Sequence, residues 1–548
     1  MRDLFSKLLF LGAAVFSPAF YFSCASTSDT APKNPALSKY SDTAGAAWGC
    51  HDPKIFQDPA SGIFYVYSTG WNDGVQLRKS HDLVSWTMCP PPFYGNWDEE
   101  FVDWVSKRHS WAPTVTEKDG LYYMFHGIIT DSLSTSTGVH PAAAITLAIA
   151  KNPEGPFIPA SKFDGETYKT SILVRYVWTN ENAMPREKGF SACFNTGRES
   201  WNYGFGCIDP EFVMDIATGN LMEYTIGKTV CHAITYGSWK GGIALAYVDA
   251  RTFKPVNQTT GEIMDLPLDS VPGNSGLLIA GGAGTAYEGS QLIFNSDTGW
   301  YYVFVSMSDL TYEYRVGVGR SKSIEGPYLD ASNRNMNFTT GGIAGNYRLT
   351  GSKIIGAYTL GKNLGFMSPG GQSVLRSDTG RVLFANHTRT TYLSPHQFVL
   401  QVHRMFFNGE GWPVLDMNDF VEERAAPESL AEISGAYDVI ITERSQGKEA
   451  DSTSIKSRQF FIDADGNVTG AYKGKVEIGA VKEDGAALQA RISLEDKGDF
   501  DGFFFYATNM AGRKKSGGQT QTLSFTALNN TGGKAKGEYI FGNSAASN

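Results

Sequence analysis

No stretch of this 548-residue chain is apolar for long enough to cross a bilayer; the longest, Leu8 to Phe22, falls short of the roughly 20 residues a membrane helix needs. Positive charge is also scarce. Lys and Arg number 47 against 56 Asp and Glu, a net charge of -9, and the one basic cluster is the short Arg513-Lys514-Lys515. That excludes the electrostatic footprint of a nucleic-acid binder. Cysteine is sparse: Cys24, Cys50, Cys89, Cys193, Cys207 and Cys231, with no CxxC or other zinc-ligand spacing, which excludes a metal-thiolate site. Cys193, Cys207 and Cys231 lie close enough in sequence for one disulfide, with buried free thiols as the alternative. Long runs of Ala, Leu, Glu and Lys are missing, which excludes a helical bundle. Aromatics at 13 % and 60 glycines take their place and point to short strands joined by tight turns.

One phrase recurs. His51-Asp52-Pro53 leads into KIFQDPASGIFYVYSTG, Ile208-Asp209-Pro210 into EFVMDIATGNLMEYTIG, and Tyr287-Glu288-Gly289 into SQLIFNSDTGWYYVFVSMS. Trp111-Ala112-Pro113 and Gly371-Gln372-Ser373 head two further copies without an acid. Each copy reads as a strand, a Gly-bearing turn and a second strand rich in Tyr, Phe and Val. A second motif follows, at Ser80–Trp86, Asn152–Phe157 and Ser323–Tyr328, and is expected to supply outer strands. Five units of about four strands each predict a five-bladed β-propeller, whose blades bury their faces against one another. After Glu422-Glu423-Arg424 the aromatic phrases give way to alternating apolar and polar residues between Gly/Asp turns, a second all-β unit of barrel or sandwich type.

The acids of the three phrases occupy the same place in each. Innermost propeller strands line the central channel, so Asp52, Asp209 and Glu288 are expected to meet at one mouth. Inverting hydrolysis of a glycosidic bond needs one carboxylic acid to protonate the leaving oxygen. It also needs a carboxylate about 6.5–9.5 Å away to activate water. A third carboxylate raises the pKa of the acid by like-charge repulsion.

The segments HDPKIF, WAPTV, IDPEF, TYGSWKGGI, YEGSQLI, FMSPGGQSV and EGWPV, in this order from His51 to Val414, resemble those of family 43 glycoside hydrolases, most closely the two-domain endo-α-1,5-L-arabinanases. The resemblance implies Asp52 as general base, Asp209 as pKa modulator and orienter, and Glu288 as general acid. It makes Ser238 and Trp239, in the GSWxGGI-like element, candidates for sugar contacts. Trp111 is a candidate aromatic face for a furanose ring, against core packing between blades. Trp71, Trp104 and Trp201 are further candidates by loop placement alone. Many family members carry a channel His after the Pro-Gly of the fifth phrase, where it helps to hold calcium. Here Ser368-Pro369-Gly370-Gly371-Gln372 lacks it, and His387 on the next strand is the imidazole that could serve instead. Calcium with few protein ligands is thus the implied cofactor. Residues 225–235 read as an insertion relative to the family, able to reshape the cleft.

The expected organisation is an export signal over residues 1–24, a polar tether over 25–44, a catalytic propeller over 45–422 and an accessory β domain over 425–548. Arg2 and Lys7 before the apolar stretch mark export, and Cys24 stands where a lipoprotein signal carries its lipidated cysteine; an ordinary cleaved signal is the alternative. The protein is expected outside the cytoplasm, as a surface lipoprotein or a secreted or periplasmic monomer, touching membrane only through such an anchor. The expected activity is inverting, endo-acting cleavage of arabinan or arabino-oligosaccharides. The alternatives are an exo-acting arabinofuranosidase or β-xylosidase, or a surface glycan-binding protein without catalysis.

Overall fold

A computed structural model describes residues 49–70, 74–93, 109–129, 143–176, 205–238, 241–282, 285–310, 313–338, 349–361, 365–390, 398–420, 424–442, 456–508 and 521–545. The described residues are almost entirely strand and turn. Five sheets form the blades of a propeller, antiparallel except where Met214–Asp215 joins Tyr287–Asn295 in parallel, and a closed eight-stranded barrel follows. Blade 1 holds the strands Lys54–Gln57, Phe64–Thr69, Val75–Ser80 and Thr87–Cys89. Blades 2 to 5 begin on His109–Lys118, Glu211–Phe212, Tyr287–Asn295 and Phe366–Arg376. These are the five phrases of the sequence. The second strand of blade 1, Phe64–Thr69, is buried along its whole length, because both of its faces meet neighbouring blades.

Two expectations need correcting. Asn152–Phe157 and Ser80–Trp86 do not form outer strands; they are turns that carry the chain from the third strand of a blade to its short fourth, as between Ala143–Ala150 and Ile158–Pro159. Residues 225–235 do not reshape the cleft. They form the hairpin of Glu223–Ile226 with Thr229–Tyr236, whose turn lies at the end of blade 3 opposite the acids, since Thr235 pairs with Glu211 while Thr229 pairs with Ile226.

Each first strand carries, or follows by two positions, a residue in the left-handed region, where a side chain is strained: Asp52 (φ 50°), Ala112 (41°), Asp209 (56°), Gly289 (56°) and Gly371 (56°). In blades 2, 4 and 5 this residue lies inside a β-bulge, between Trp111 and Thr114, Glu288 and Gln291, and Gly370 and Ser373. A bulge turns successive side chains out of the pleat and aims them at the axis. The acids are therefore out of phase: Asp52 and Asp209 occupy the left-handed position, whereas Glu288 stands one residue before it, in register with Trp111 and Gly370.

The barrel runs from Gly435–Ile441 to Tyr539–Ser544, which pair with each other to close it. Its interior is packed with Tyr437, Phe460, Phe504 and Phe525, all at most 2 % exposed, the rings of Phe460 and Phe525 stacked at 5.7 Å. Eight strands enclose just enough space for side chains to fill. One apolar core joins Phe384, Phe406 and Trp412 of the propeller to Phe503, Phe505, Tyr539 and Phe541 of the barrel. Polar contacts run through the same seam. Arg404 bonds Asp416 at 3.2 Å and the Tyr506 carbonyl at 2.9 Å, and the Tyr539 hydroxyl donates to the carbonyl of Pro413 at 3.0 Å.

Candidate active site

Asp52, Asp209 and Glu288 come together at the mouth of the channel, from blades 1, 3 and 4. The Asp52 carboxylate is held from two sides. Thr69, ending the second strand of blade 1, donates its hydroxyl to Oδ2 at 2.6 Å, and that hydroxyl in turn accepts the Ala112 N–H at 2.9 Å. On the other side His387 Nδ1 accepts the Asp52 backbone N–H at 3.1 Å and lies 3.5 Å from Oδ1, while His51 Nδ1 lies 3.1 Å from Oδ2. Neither imidazole contact is an ion pair. Burial pushes His387 well below the usual imidazole value, with His51 and Arg389 adding to the effect. Burial also lowers His51, against the opposing pull of Asp52. The two rings lie tilted against each other at 4.5 Å, and Phe398 packs on both, tilted to His51 at 4.4 Å and edge-on to His387 at 4.8 Å.

Asp209 has a different environment. Its Oδ2 accepts the Gly289 N–H at 2.8 Å, a bond that ties blade 3 to blade 4 beside Glu288. Burial, then the negative charges of Asp52 and Glu288, push the Asp209 carboxyl well above the carboxylate range, and the Gly289 bond only partly opposes this. Glu288 receives a hydroxyl on each oxygen: Ser238 donates to Oε2 at 2.9 Å and Tyr314 to Oε1 at 2.8 Å.

Two residues further along each strand a second layer closes the channel: Lys54, Thr114, Glu211, Gln291 and Ser373, all at most 6 % exposed. Lys54 pairs with Glu211, and Thr114 donates to the same carboxylate at 2.9 Å. Gln291 Oε1 accepts the Val374 N–H at 2.7 Å, and Ser373 accepts the Ile55 N–H at 3.3 Å. This floor links the blades and holds the acids above it.

Trp111 lies on the same ring as Glu288, half-buried against the core between blades 2 and 3. The Ser238 hydroxyl is engaged by the acid. Trp239, Trp71, Trp104 and Trp201 lie outside the described residues, as do residues 1–44, Cys24 and Cys193. Cys50, Cys89 and Cys231 are free thiols, so Cys231 follows the buried-thiol alternative. The sequence reading missed His51, Thr69 and Tyr314 as partners of the acids. His51 stood in the HDP motif; Thr69 and Tyr314 carry no local signal, because they are brought in by strand pairing.

Among the described residues, one cluster places potential metal-ligating atoms within 4.8 Å of one another: His51, Asp52 and His387. It does not suit calcium, which takes six to eight oxygens. Two of the three are imidazoles, the His387 Nδ1 lone pair accepts the Asp52 N–H, and Oδ2 of Asp52 is taken by Thr69. Nor can position 371 restore a ligand, since a Cβ on Gly371 would stand 2.5 Å from Asp52 Oδ1 and 2.8 Å from His387 Nδ1.

A five-bladed propeller that gathers three carboxyls at one mouth has the groups that acid–base hydrolysis requires. The model for glycosyl hydrolases family 43 matches residues 47–181 and 234–413, and that for a C-terminal lipocalin-like domain of this family matches 419–537. The chain therefore belongs to glycosyl hydrolase family 43 and is a glycoside hydrolase. Among relatives, the extracellular endo-α-(1→5)-L-arabinanase of Thermotoga petrophila is 29 % identical over 78 % of this chain and 82 % of its own. The extracellular endo-α-(1→5)-L-arabinanase 2 of Bacillus subtilis is 28 % identical over 71 % and 75 %. An extracellular exo-α-(1→5)-L-arabinofuranosidase of Cellvibrio japonicus is 26 % identical over 68 % and 89 %. The crystal structure of the T. petrophila arabinanase in complex with TRIS superposes with a TM-score of 0.68, covering 90 % of this chain and 98 % of that one at 24 % identity, which establishes the two-domain fold.

Proposed function

We propose that this chain is an exported arabinanase that cleaves internal α-1,5-L-arabinofuranosyl linkages with inversion. The observation that carries the mechanism is the unequal surroundings of the three carboxyls. Asp52, hydrogen-bonded by Thr69, is the base: it takes a proton from water as the oxygen attacks the anomeric carbon. Glu288 is the acid: its proton goes to the glycosidic oxygen as the bond to carbon breaks, and the leaving chain departs as an alcohol. Asp209, bonded to the N–H beside Glu288, tunes and orients the donor. Trp111 and Trp239 are the sugar-contact candidates. The arabinan substrate and the extracellular location are supported by the three relatives, and export also by the N-terminal signal pattern. Lipidation of Cys24 is a further proposal, tested by metabolic labelling with a fatty acid. We read the barrel as a brace on the propeller, since a single core runs through both.

The test is hydrolysis of linear arabinan by wild type and Glu288→Ala, followed by product sizing and proton NMR of the first-formed anomer. Early oligosaccharides with a β-anomeric reducing end are expected, with almost nothing from the variant. Equal release by both proteins would sink the acid assignment. Arabinose alone from the outset would make the enzyme exo-acting, and an α-anomer would exclude inversion.

A further inference from the structure

Tyr314 sits between the second and third strands of blade 4, one residue before Arg315–Ser321. It is 3 % exposed, and its ring lies parallel to that of His387, 3° off plane with centroids 5.7 Å apart. The room for it is made by a glycine: a Cβ on Gly370 would stand 2.2 Å from Tyr314 Cε1. Beneath the ring, Ser306 donates to Gln372 Oε1 at 2.9 Å and accepts the Gly371 N–H at 2.9 Å. The Tyr314 hydroxyl donates to Glu288 Oε1 at 2.8 Å.

From this geometry we infer that Tyr314 is a positioning residue that selects which oxygen of Glu288 carries the catalytic proton. Oε1, which accepts the phenol, is the carbonyl oxygen of the protonated acid. The proton therefore resides on Oε2, on the Ser238 side. A serine hydroxyl is a rotor that can donate to a carboxylate and accept from a carboxylic acid, so Ser238 suits both states of Oε2. The phenol keeps its proton, because burial first and then the negative charges of Glu288, Asp52 and Asp209 oppose its ionisation, against a smaller opposite effect of the Ser306 hydroxyl, and it commits that proton to Oε1. The leaving oxygen must then approach Glu288 from the cleft between blades 3 and 4. The inference rests on the reading of Glu288 as general acid.

The charged and titratable groups around this contact come from four blades: Asp52 from blade 1, Asp209 from blade 3, Tyr314 itself from blade 4, and behind its ring the neutral His387 of blade 5, with Arg389 beyond. None of them replaces the phenol proton on Oε1. A hydrogen bond donated to a carboxylate favours its charged form, so removing it moves the titration of Glu288 to higher pH.

The test is Tyr314→Phe, which keeps the ring against His387 and over Gly370. On linear arabinan kcat is expected to fall about tenfold or more with KM within about twofold, and the alkaline limb of kcat/KM to move to higher pH. On an arabino-oligosaccharide with a dinitrophenolate leaving group, which needs no protonation, the loss is expected to vanish almost entirely. An equal loss on both substrates, or an unmoved alkaline limb, overturns the proposal. A second measurement stands apart from activity: 13C NMR titration of the Glu288 carboxyl, assigned by its absence in Glu288→Gln. Its midpoint is expected to rise in Tyr314→Phe, and an unchanged midpoint overturns the inference even if arabinan is not the substrate. Wild type inactive on arabinan, with the midpoint raised as expected, would instead count against the proposed substrate alone.

Discussion

The propeller and the barrel are both rings of antiparallel strands closed around an axis, and they fill that axis in opposite ways. Along the propeller axis lie carboxyls, a Lys54–Glu211 pair, hydroxyls and an amide, carried on strand starts bent into the left-handed region. Along the barrel axis lie Tyr437, Phe460, Phe504 and Phe525, carried on regular strands. The difference follows from which surfaces do the burying. Blades hide their apolar faces against each other, so the axis is left to groups that need positions rather than partners. A barrel strand has only one inner face, and that face must be the core. Chemistry can occupy the first kind of axis and would destroy the second.

Substitutions along the two axes test this contrast. The largest effect belongs to Glu288→Ala and Asp52→Asn, each expected to lower kcat on arabinan by about 10³-fold or more, near the upper range of acid–base contributions. Thermal melting of the same variants should show no loss of stability, because each removes a charge from a repulsive cluster; a lowered midpoint would mean the acids also hold the fold.

On the barrel axis the pattern reverses. Phe525→Ala should destabilise the chain by about 3–5 kcal/mol through the cavity it leaves. Activity and barrel structure should be lost in one transition, since the two units share a core. Two separate transitions by calorimetry would break the brace reading. Lys54→Ala is comparable in size, about 3–5 kcal/mol, because it strands the Glu211 carboxylate inside the channel floor.

A smaller effect depends on pH. The Asp209 carboxyl is raised in the folded state above its unfolded value of about 3.9, so above that pH the folded protein binds more protons than the unfolded chain. Its contribution to stability therefore falls as pH rises from about 4 through the raised value, and is constant beyond it. Asp209→Asn should abolish that fall, so its melting temperature should gain on wild type between pH 4 and pH 7. A difference independent of pH would contradict the raised carboxyl.

The smallest effect distinguishes the acid-bearing blades from the others. Ala112 holds the left-handed position of blade 2 at φ 41° without a functional group to justify the strain. Ala112→Gly should raise stability by up to about 1 kcal/mol and leave hydrolysis unchanged. The same position in blade 5 is already glycine, and Gly371→Ala should lower activity by pressing a methyl group on Asp52.

Much of this was legible in the chain. The phrases at His51, Trp111, Ile208, Tyr287 and Gly371 marked five blades because each must repeat the same strand–turn–strand pattern to pack against copies of itself. The acids stood out because a carboxylate at the head of an aromatic strand serves no packing purpose. The register of Glu288 was not legible. Its offset from Asp52 and Asp209 is produced by a bulge, and a bulge is visible only in the pairing of Glu288 with Ser306 and Gln291 with Phe304. Thr69, Tyr314 and the Gly371 cradle were equally hidden, since each acts on a residue of another strand or blade.

The order of residues along the chain thus determined which chemical groups this protein has and how many blades carry them, because these depend on local periodicity and composition. Only the closed tertiary structure decided which groups meet. It set a buried imidazole from blade 5 against Asp52 of blade 1, and a phenol against one oxygen of Glu288. It also raised the Asp209 carboxyl, since burial and the charges of Asp52 and Glu288 act on it through space and not along the chain.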